Sequence, residues 1–342
     1  MEKQVLFYFV HAHGNGHKAT FNMLYPQLSV HFKTVAITTN KEVTEYLTLN
    51  HKVDVVELPP KYPENYKIPE HTFSKPFEVT PYAIEPAQRA KALAEAIILY
   101  QPKVLYCDGV PELAIMARSM GVPVVLVHLP GNIMNDPTQI FAHQLADHIV
   151  AHFPFFLEQE HYEYKSKTFY SGYLSKYSGD NAEQPTGSEE DQVTILLGYE
   201  NYDQTILKNI TADSTTKFVI IGNKQSYDLG SNCQQLGTVK NINKAIGGKR
   251  VITAVGQNTI AELLSLNKQL VLLPEPRPYD EQNVHAKVLA EKGLALLAHD
   301  DLSPAQWQKL LAEAKLLIST NKNLVNHFAA KEIAHKMKNW YA

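Results

Sequence analysis

Cysteine is scarce: Cys107 and Cys233 are the two in 342 residues, with no spacing that suits a metal or a pairing framework. That excludes a disulfide-stapled scaffold and points to a reducing compartment, the cytoplasm. Long apolar runs are missing as well. The run 5–10 (VLFYFV) ends at His11, too short for a signal-peptide core or a bilayer span. Excess charge of either sign is absent, with a formal net of −3 and 20% charged residues, so nothing argues for a nucleic-acid partner. Internal repeats and low-complexity segments are absent too, beyond an α/β likeness between the two halves. What is present is 44% hydrophobic content over 342 residues, an ordinary globular composition with enough chain for two cores.

In chain order, 4–10 (QVLFYFV) reads as a continuous apolar strand, as buried parallel strands do. HAHGNGHKAT follows, then a helix-like stretch through Leu28, giving strand, glycine turn and helix, the first unit of a doubly wound α/β domain. Gly14 and Gly16 lack the third glycine of a dinucleotide fingerprint. Strands are expected at 34–38, 53–58, 103–107, 123–128, 147–151 and 168–172, with helices at 39–49, 87–100 and 111–120. The strand at 103–107 delivers Asp108 at its C-terminal end, where ligands of open α/β sheets gather. Between Pro59 and Pro86 lie seven prolines and five Tyr or Phe residues, with Lys61, Lys67 and Lys75 interspersed. This reads as a surface excursion, either an acceptor or bilayer contact or an insertion packed by its own aromatics. The acidic, glycine-containing stretch 178–192 is the clearest linker. Beyond it the pattern restarts, with strands at 193–197, 218–221, 250–254 and 269–273.

The stretch 256–286 (GQNTIAELLSLNKQLVLLPEPRPYDEQNVHA) is the richest in chemistry. Gly256 permits a tight strand-to-helix turn, after which Gln257, Asn258 and Thr259 open a helix whose N–H groups and dipole suit a phosphate. Glu262, one turn on, can take the vicinal hydroxyls of a ribose. Thr-x-x-Glu is equally a capping box that binds nothing, and taken alone the pair leaves both readings open. Asp280 and Gln282, on a proline-stiffened loop, are groups of the kind that read sugar hydroxyls.

Taken together, Gly256-x-x-Thr259-x-x-Glu262, an apolar strand, Pro-x-Pro, Asp280-x-Gln282 and Ala286 resemble the donor signature of the GT-B glycosyltransferases. The likeness is to the branch of the N-acetylglucosaminyltransferase that completes lipid II. The resemblance implies an α/β fold of two Rossmann-like doubly wound domains facing across a cleft. Residues 1–178 would bind acceptor, 179–192 link, 193–325 bind the donor, and 326–342 form a helix crossing back to the first domain. It assigns Glu262 to the ribose of a uridine diphosphate sugar, and Asp280 and Gln282 to the sugar itself. Gly14 and Gly16, in Gly-x-Gly-His, would face acceptor and donor phosphates. Gly198 and Tyr199 stand where relatives carry a Gly/Ser-rich pyrophosphate loop, here GYENYDQ, and Val239 falls near the uracil edge. His285 stands where many relatives have Asn, which bears on the choice of donor sugar.

The implied reaction is attack of an acceptor hydroxyl on an anomeric carbon with inversion, and a nucleoside diphosphate leaving. A histidine with an ordinary pKa of about 6.5 suits the base. His17 is the choice, with Asp108 orienting its ring; His13 competes. The helix beyond Gly256 would serve the leaving group, so neither metal nor cofactor is expected besides the nucleotide-sugar co-substrate. A zinc site from His11, His13, His17 and Asp108 is the alternative. Other readings are a uridine diphosphate sugar 2-epimerase of the same fold, or a non-catalytic nucleotide-sugar-binding subunit. Partners would be a nucleotide sugar and a saccharide, lipid-linked or small-molecule acceptor. The protein would be a monomer or dimer, cytoplasmic or peripheral at the membrane's inner face, serving envelope polysaccharide or glycolipid synthesis.

Overall fold

The computed structural model describes residues 3–11, 15–177, 191–198, 202–317 and 324–342. It forms two compact units, Met1–Leu174 with Phe328–Ala342, and Ser175–His327. Of the linker expected at 179–192, all up to residue 190 lies outside the described residues, and Gln192 already opens a strand.

Unit 1 is built on seven parallel strands: β1 (Val5–Phe9), β2 (Lys33–Thr38), β3 (Asp54–Glu57), β4 (Val104–Cys107), β5 (Val124–His128), β6 (His148–Ala151) and β7 (Thr168–Tyr170). Their spatial order is β3-β2-β1-β4-β5-β6-β7. The helices between them are α1 (Gly16–His31), α2 (Lys41–His51), α3 (Glu85–Tyr100), α4 (Pro111–Ser119) and α5 (Pro137–Leu145). The unbroken apolar strands follow from burial on both faces, since successive side chains point to opposite sides. Phe7 and Phe9 join Ile37, Leu105 and Leu126 beneath Leu93 of α3, Leu113 of α4 and Ala142 of α5. Leu6, Tyr8 and Val10 join Tyr106 and Val125 beneath Phe21 and Leu24 of α1 and Leu47 of α2. Local chemistry sets the helix ends. Asn40 accepts from Val43 N at 3.2 Å to start α2, and Asp136 accepts from Thr138 N at 2.7 Å ahead of Pro137 to start α5. α4 gives way to Gly121 at φ +86°, a left-handed stop that glycine tolerates.

Between β3 and α3 the chain forms no strand or helix, as its prolines foretell. It is tied to unit 1 by a Lys61–Glu112 ion pair and by Phe77 N donating to Thr138 Oγ1 at 2.8 Å. Tyr66, Ile68, Phe77 and Tyr82 on it are exposed. Among the described residues no helix is long and apolar enough to cross a membrane.

Unit 2 has six parallel strands: β8 (Gln192–Leu196), β9 (Lys217–Ile221), β10 (Cys233–Gln235), β11 (Arg250–Thr253), β12 (Gln269–Leu272) and β13 (Leu296–Leu297). They are ordered β10-β9-β8-β11-β12-β13. β10 and β13 were not anticipated: one is three mostly polar residues without an apolar signal, and the other, although apolar, is only two residues long. The helices are α6 (Gln204–Ile210), α7 (Ile242–Ala245), α8 (Gln257–Ser265), α9 (Glu281–Glu291) and α10 (Pro304–Ala314). The core gathers Ile195, Phe218, Ile252 and Val271 with Leu207 of α6 and Trp307 of α10, the last fully buried. A capping box of Ser303 and Gln306 starts α10.

The last helix, α11 (Ala329–Tyr341), belongs to unit 1, where Ile333, Ala334 and Met337 enter the cluster that holds Phe21 and Leu24. His148 stacks on Trp340 at 4.0 Å between ring centroids, pinning its C-terminal end. Met337 is fully buried, so Met337→Ala should destabilise unit 1 by about 2–5 kcal/mol. Urea unfolding followed by near-UV circular dichroism measures this; a loss below about 1 kcal/mol would mean that the helix is not part of that core.

Candidate active site

Strand order reverses between β1 and β4 in unit 1 and between β8 and β11 in unit 2, and in doubly wound sheets ligands collect at such a point, outside the strands' C-terminal ends. His17 and Asp108 fall at the first of these points, and Gly198 and Gly256 at the second, whereas Asp280 and Gln282 follow β12 and Val239 follows β10.

In unit 1, α1 begins at Gly16 directly after the β1 loop, which places His17 in its first turn. Asp108 follows the last residue of β4. The two meet: His17 Nδ1 lies 2.8 Å from Asp108 Oδ2. A carboxylate only accepts, so Nδ1 donates and Nε2 is the nitrogen with a lone pair. Asp108 is 3% exposed, and burial alone would raise its carboxyl. The charge and hydrogen bond of His17, with His152 and His11 nearby, outweigh burial and hold it below the usual carboxylate range. His152 is pushed down to about 4 by burial and is a neutral partner for Tyr106 Oη at 2.8 Å. His11 lies 5.2 Å from His17, centroid to centroid. Gly109 completes the corner. Its φ is +77°, and a Cβ there would stand 3.5 Å from His17 Cε1. Gly109 was not singled out in the sequence, although an Asp-Gly pair after a strand signals such a turn. His13 and Gly14 lie outside the described residues. Among those described, no group of three or more His, Cys, Asp or Glu side chains could hold a metal ion.

In unit 2, Gly256 is the N-cap of α8, and no side chain caps that end. This settles the phase of the motif. A capping box needs its Thr at the N-cap and its Glu at the third helical position, whereas Thr259 is third and Glu262 sixth. Thr259 Oγ1 instead lies beside Gly256, 3.6 Å from where a Cβ would be. Gln257 and Asn258 form the turn between them. Glu262 is 9% exposed, a carboxylate nearly buried in a helix. Lys176 Nζ meets its Oε2 at 2.8 Å. Burial raises the Glu262 carboxyl above its ordinary value, and the Lys176 ammonium opposes that. Lys176 was missed because nothing in sequence spacing links a residue next to the linker to α8.

A second set of contacts ties the loops of this sheet together. Gln282 Oε1 accepts from Val255 N at 2.8 Å and from Glu275 N at 2.9 Å. The loops after β11 and β12 are thus joined through α9, and the Gln282 Nε2 group is the end that can address a ligand. Arg277 Nη2 donates to Glu275 Oε2 at 2.8 Å. A Cβ at Gly198, after β8, would lie 2.0 Å from Glu275 Oε1, so the carboxyl fills the space a side chain would need. Asp280 is exposed, accepts from Asn283 Nδ2 at 2.7 Å, and follows Tyr279 in left-handed backbone, φ 55° after φ 60°. Two such residues in succession without glycine are costly and mark a loop held in place by its surroundings. His285 is buried and held neutral, down to about 4. Val239 is half-buried in the irregular stretch after β10, and Tyr199 lies outside the described residues.

Residues 179–338 match the glycosyltransferase family 28 C-terminal domain. Among solved structures, the glycotransferase of kitacinnamycin superposes over 100% of both chains with a TM-score of 0.75 at 11% identity. The fold is GT-B, that of the glycosyltransferases. The GT-B protein MurG of Acinetobacter baumannii gives a TM-score of 0.71 at 15% identity, covering 98% of this chain and 99% of its own. Spinosyn rhamnosyltransferase SpnG complexed with thymidine diphosphate gives 0.64 at 15%, covering 98% and 96%. No curated protein matches the chain. The family match and the GT-B fold support sugar transfer as the class of activity.

The Gly198 contact is directly testable. Gly198→Ala should cost unit 2 about 1–3 kcal/mol, because Cβ and the Glu275 carboxyl cannot share that space. In a Glu275→Ala background the same change should cost less than half as much, a coupling that a double-mutant cycle by urea unfolding measures. Additive losses would show that the two positions do not compete.

Proposed function

We propose that the protein is an inverting glycosyltransferase that moves a sugar from a uridine diphosphate sugar to an acceptor hydroxyl. The observation that carries this reading is the 2.8 Å His17–Asp108 pair at the reversal point of unit 1. A histidine that donates Nδ1–H to a buried carboxylate is oriented and ready to take a proton at Nε2.

In the proposed step the acceptor O–H gives its proton to His17 Nε2. The oxygen bonds to the anomeric carbon from the face opposite the leaving group, and the bond from that carbon to the phosphate oxygen breaks. Its electron pair leaves with the nucleoside diphosphate. Asp108, kept ionised by its neighbours, stabilises the imidazolium as the proton arrives. The uncapped start of α8 with the Thr259 hydroxyl meets the diphosphate, where helix N–H groups and dipole favour the growing negative charge. That arrangement needs no metal, so chelation should leave turnover unchanged. Glu262 takes ribose hydroxyls, with Lys176 opposing the burial that raises its carboxyl. Asp280 and the Gln282 amide read the sugar. The likeness of 256–286 to the lipid II branch supports a role in envelope polysaccharide or glycolipid synthesis on the cytoplasmic side.

His17→Ala should lower kcat by about 10²–10⁴-fold with the donor KM nearly unchanged. Glu262→Ala should weaken uridine diphosphate binding by about 10–100-fold, the worth of 1–3 kcal/mol of charge-assisted hydrogen bonds. Single-turnover kinetics with labelled donors, and calorimetry with uridine and thymidine diphosphates, read both. Normal turnover in His17→Ala removes the mechanism. Product that forms without any acceptor would instead indicate an epimerase.

A further inference from the structure

We propose that unit 1 carries an oxyanion-binding subsite centred on Arg89, filled by a carboxylate or phosphate group borne by the acceptor. That an acceptor carries the group rests on the transfer reading; the subsite itself stands on geometry.

Arg89 lies near the N-terminal end of α3 on the helix's buried stripe with Leu93 and Ala96, a position that packing alone would give to a leucine. It is 8% exposed. Its guanidinium sits 5.9 Å from the ring of Phe9, the last residue of β1, which puts it at the strand-end edge that also delivers His17 and Asp108. Phe9 in turn contacts His11 at 6.0 Å, and His11 contacts His17 at 5.2 Å, so two further ring contacts separate the guanidinium's neighbour from the base.

Among the described residues Arg89 makes no hydrogen bond, and no carboxylate lies within 4.0 Å of it. The carboxylate whose field it feels, Glu112, is paired with Lys61. Cys107, also nearby, is pushed up to about 12 by burial and supplies no counter-charge. One positive charge therefore stays uncompensated. The guanidinium nitrogens keep some contact with solvent, none being fully buried without a partner, but a largely buried cation with no carboxylate beside it is still costly, and a fold that needed bulk alone would do better with an apolar side chain. Five N–H groups in a planar fork match a carboxylate or phosphate in two-point contact. The small exposed part of the side chain is where such a group would enter. An acceptor anchored there by a remote anionic group would present its hydroxyl to His17 by fixed geometry, the usual return on binding energy from non-reacting parts of a substrate.

The test compares thermal unfolding of the full chain, wild type and Arg89→Met, in chloride and then in inorganic phosphate or acetate at matched ionic strength. In chloride Arg89→Met should unfold at or above the wild-type temperature, since it removes an uncompensated buried charge. Phosphate at about tenfold its Kd should raise the wild-type Tm by about 2 °C, and the variant should lose that rise. Phosphate taken up in unit 2 shifts both proteins alike and cancels in the comparison. Arg89→Lys, which keeps the charge without the fork, should bind phosphate about tenfold more weakly. A larger rise in acetate assigns a carboxylate; a larger one in phosphate assigns a phosphate ester. Should Arg89→Met fail to fold, Arg89→Gln takes its place. Equal responses of wild type and variant to both anions, or no response in wild type, overturn the proposal. No donor or turnover enters the readout, so a failed transferase reading leaves the subsite standing.

Discussion

Both sheets reverse strand order next to their first strand, and in unit 1 this constraint brings His17 to Asp108. At a reversal, neighbouring strands send their next helices to opposite faces, and the loops part at the strand ends. In unit 1 the helix after β1 packs in one apolar cluster and the helix after β4 in the other, as the residues of α1 and α4 show. The corner that follows Asp108 turns through left-handed backbone, which favours glycine. Gly109, at a positive φ and against the His17 ring, is the residue that meets this requirement. His17 and Asp108 come together because the sheet delivers them to adjacent strand ends, not because they are near in sequence.

Among the described residues, several buried carboxylates meet a partner. Asp108 is offset by His17, and Glu262 by Lys176. Glu158, deep in unit 1, is offset by hydrogen bonds from His128 and Tyr170 at 2.8 and 2.9 Å. For Asp108 and Glu158 the partners outweigh burial and hold the carboxyl below its usual range, whereas at Glu262 the Lys176 ammonium opposes a burial that still raises it. Arg89 is a buried cation with no carboxylate within 4.0 Å among the described residues, and in the proposed subsite it is half of an interaction whose other half arrives from outside.

The sequence disclosed the parts of this arrangement that depend on local pattern. The central strands were legible because burial on both faces demands uninterrupted apolar runs, and Asp108 because it ends one of them. The prolines of 59–86 announced an excursion without regular structure. β10, with its Cys-Gln-Gln core, had no such signature. Thr259 and Glu262 were ambiguous until the helix phase was known: a start at Gln257 excludes the cap, whereas a start at Ile260 would have favoured it. Lys176, Glu275 and Arg89 were illegible for a different reason. Their roles depend on approach across the fold, and no periodicity encodes which buried carboxylate a distant lysine will meet.

The Gln282 amide shows how a residue can belong to a binding motif while spending half of itself on architecture. Its oxygen satisfies two backbone N–H groups, one ahead of Gly256 and one in the Pro-x-Pro loop, that would otherwise be buried without acceptors. A glutamate there could accept the same bonds but would offer no donor, and would add a negative charge beside Glu275. An asparagine, one methylene shorter, would have to draw the loops in to reach both. Glutamine alone among the polar side chains spans the gap, remains neutral next to a buried carboxylate, and keeps an N–H₂ group for a ligand. Holding the two loops together is therefore met by glutamine at this position, and the sugar-reading role proposed for it would use the end of the amide that the loops leave over.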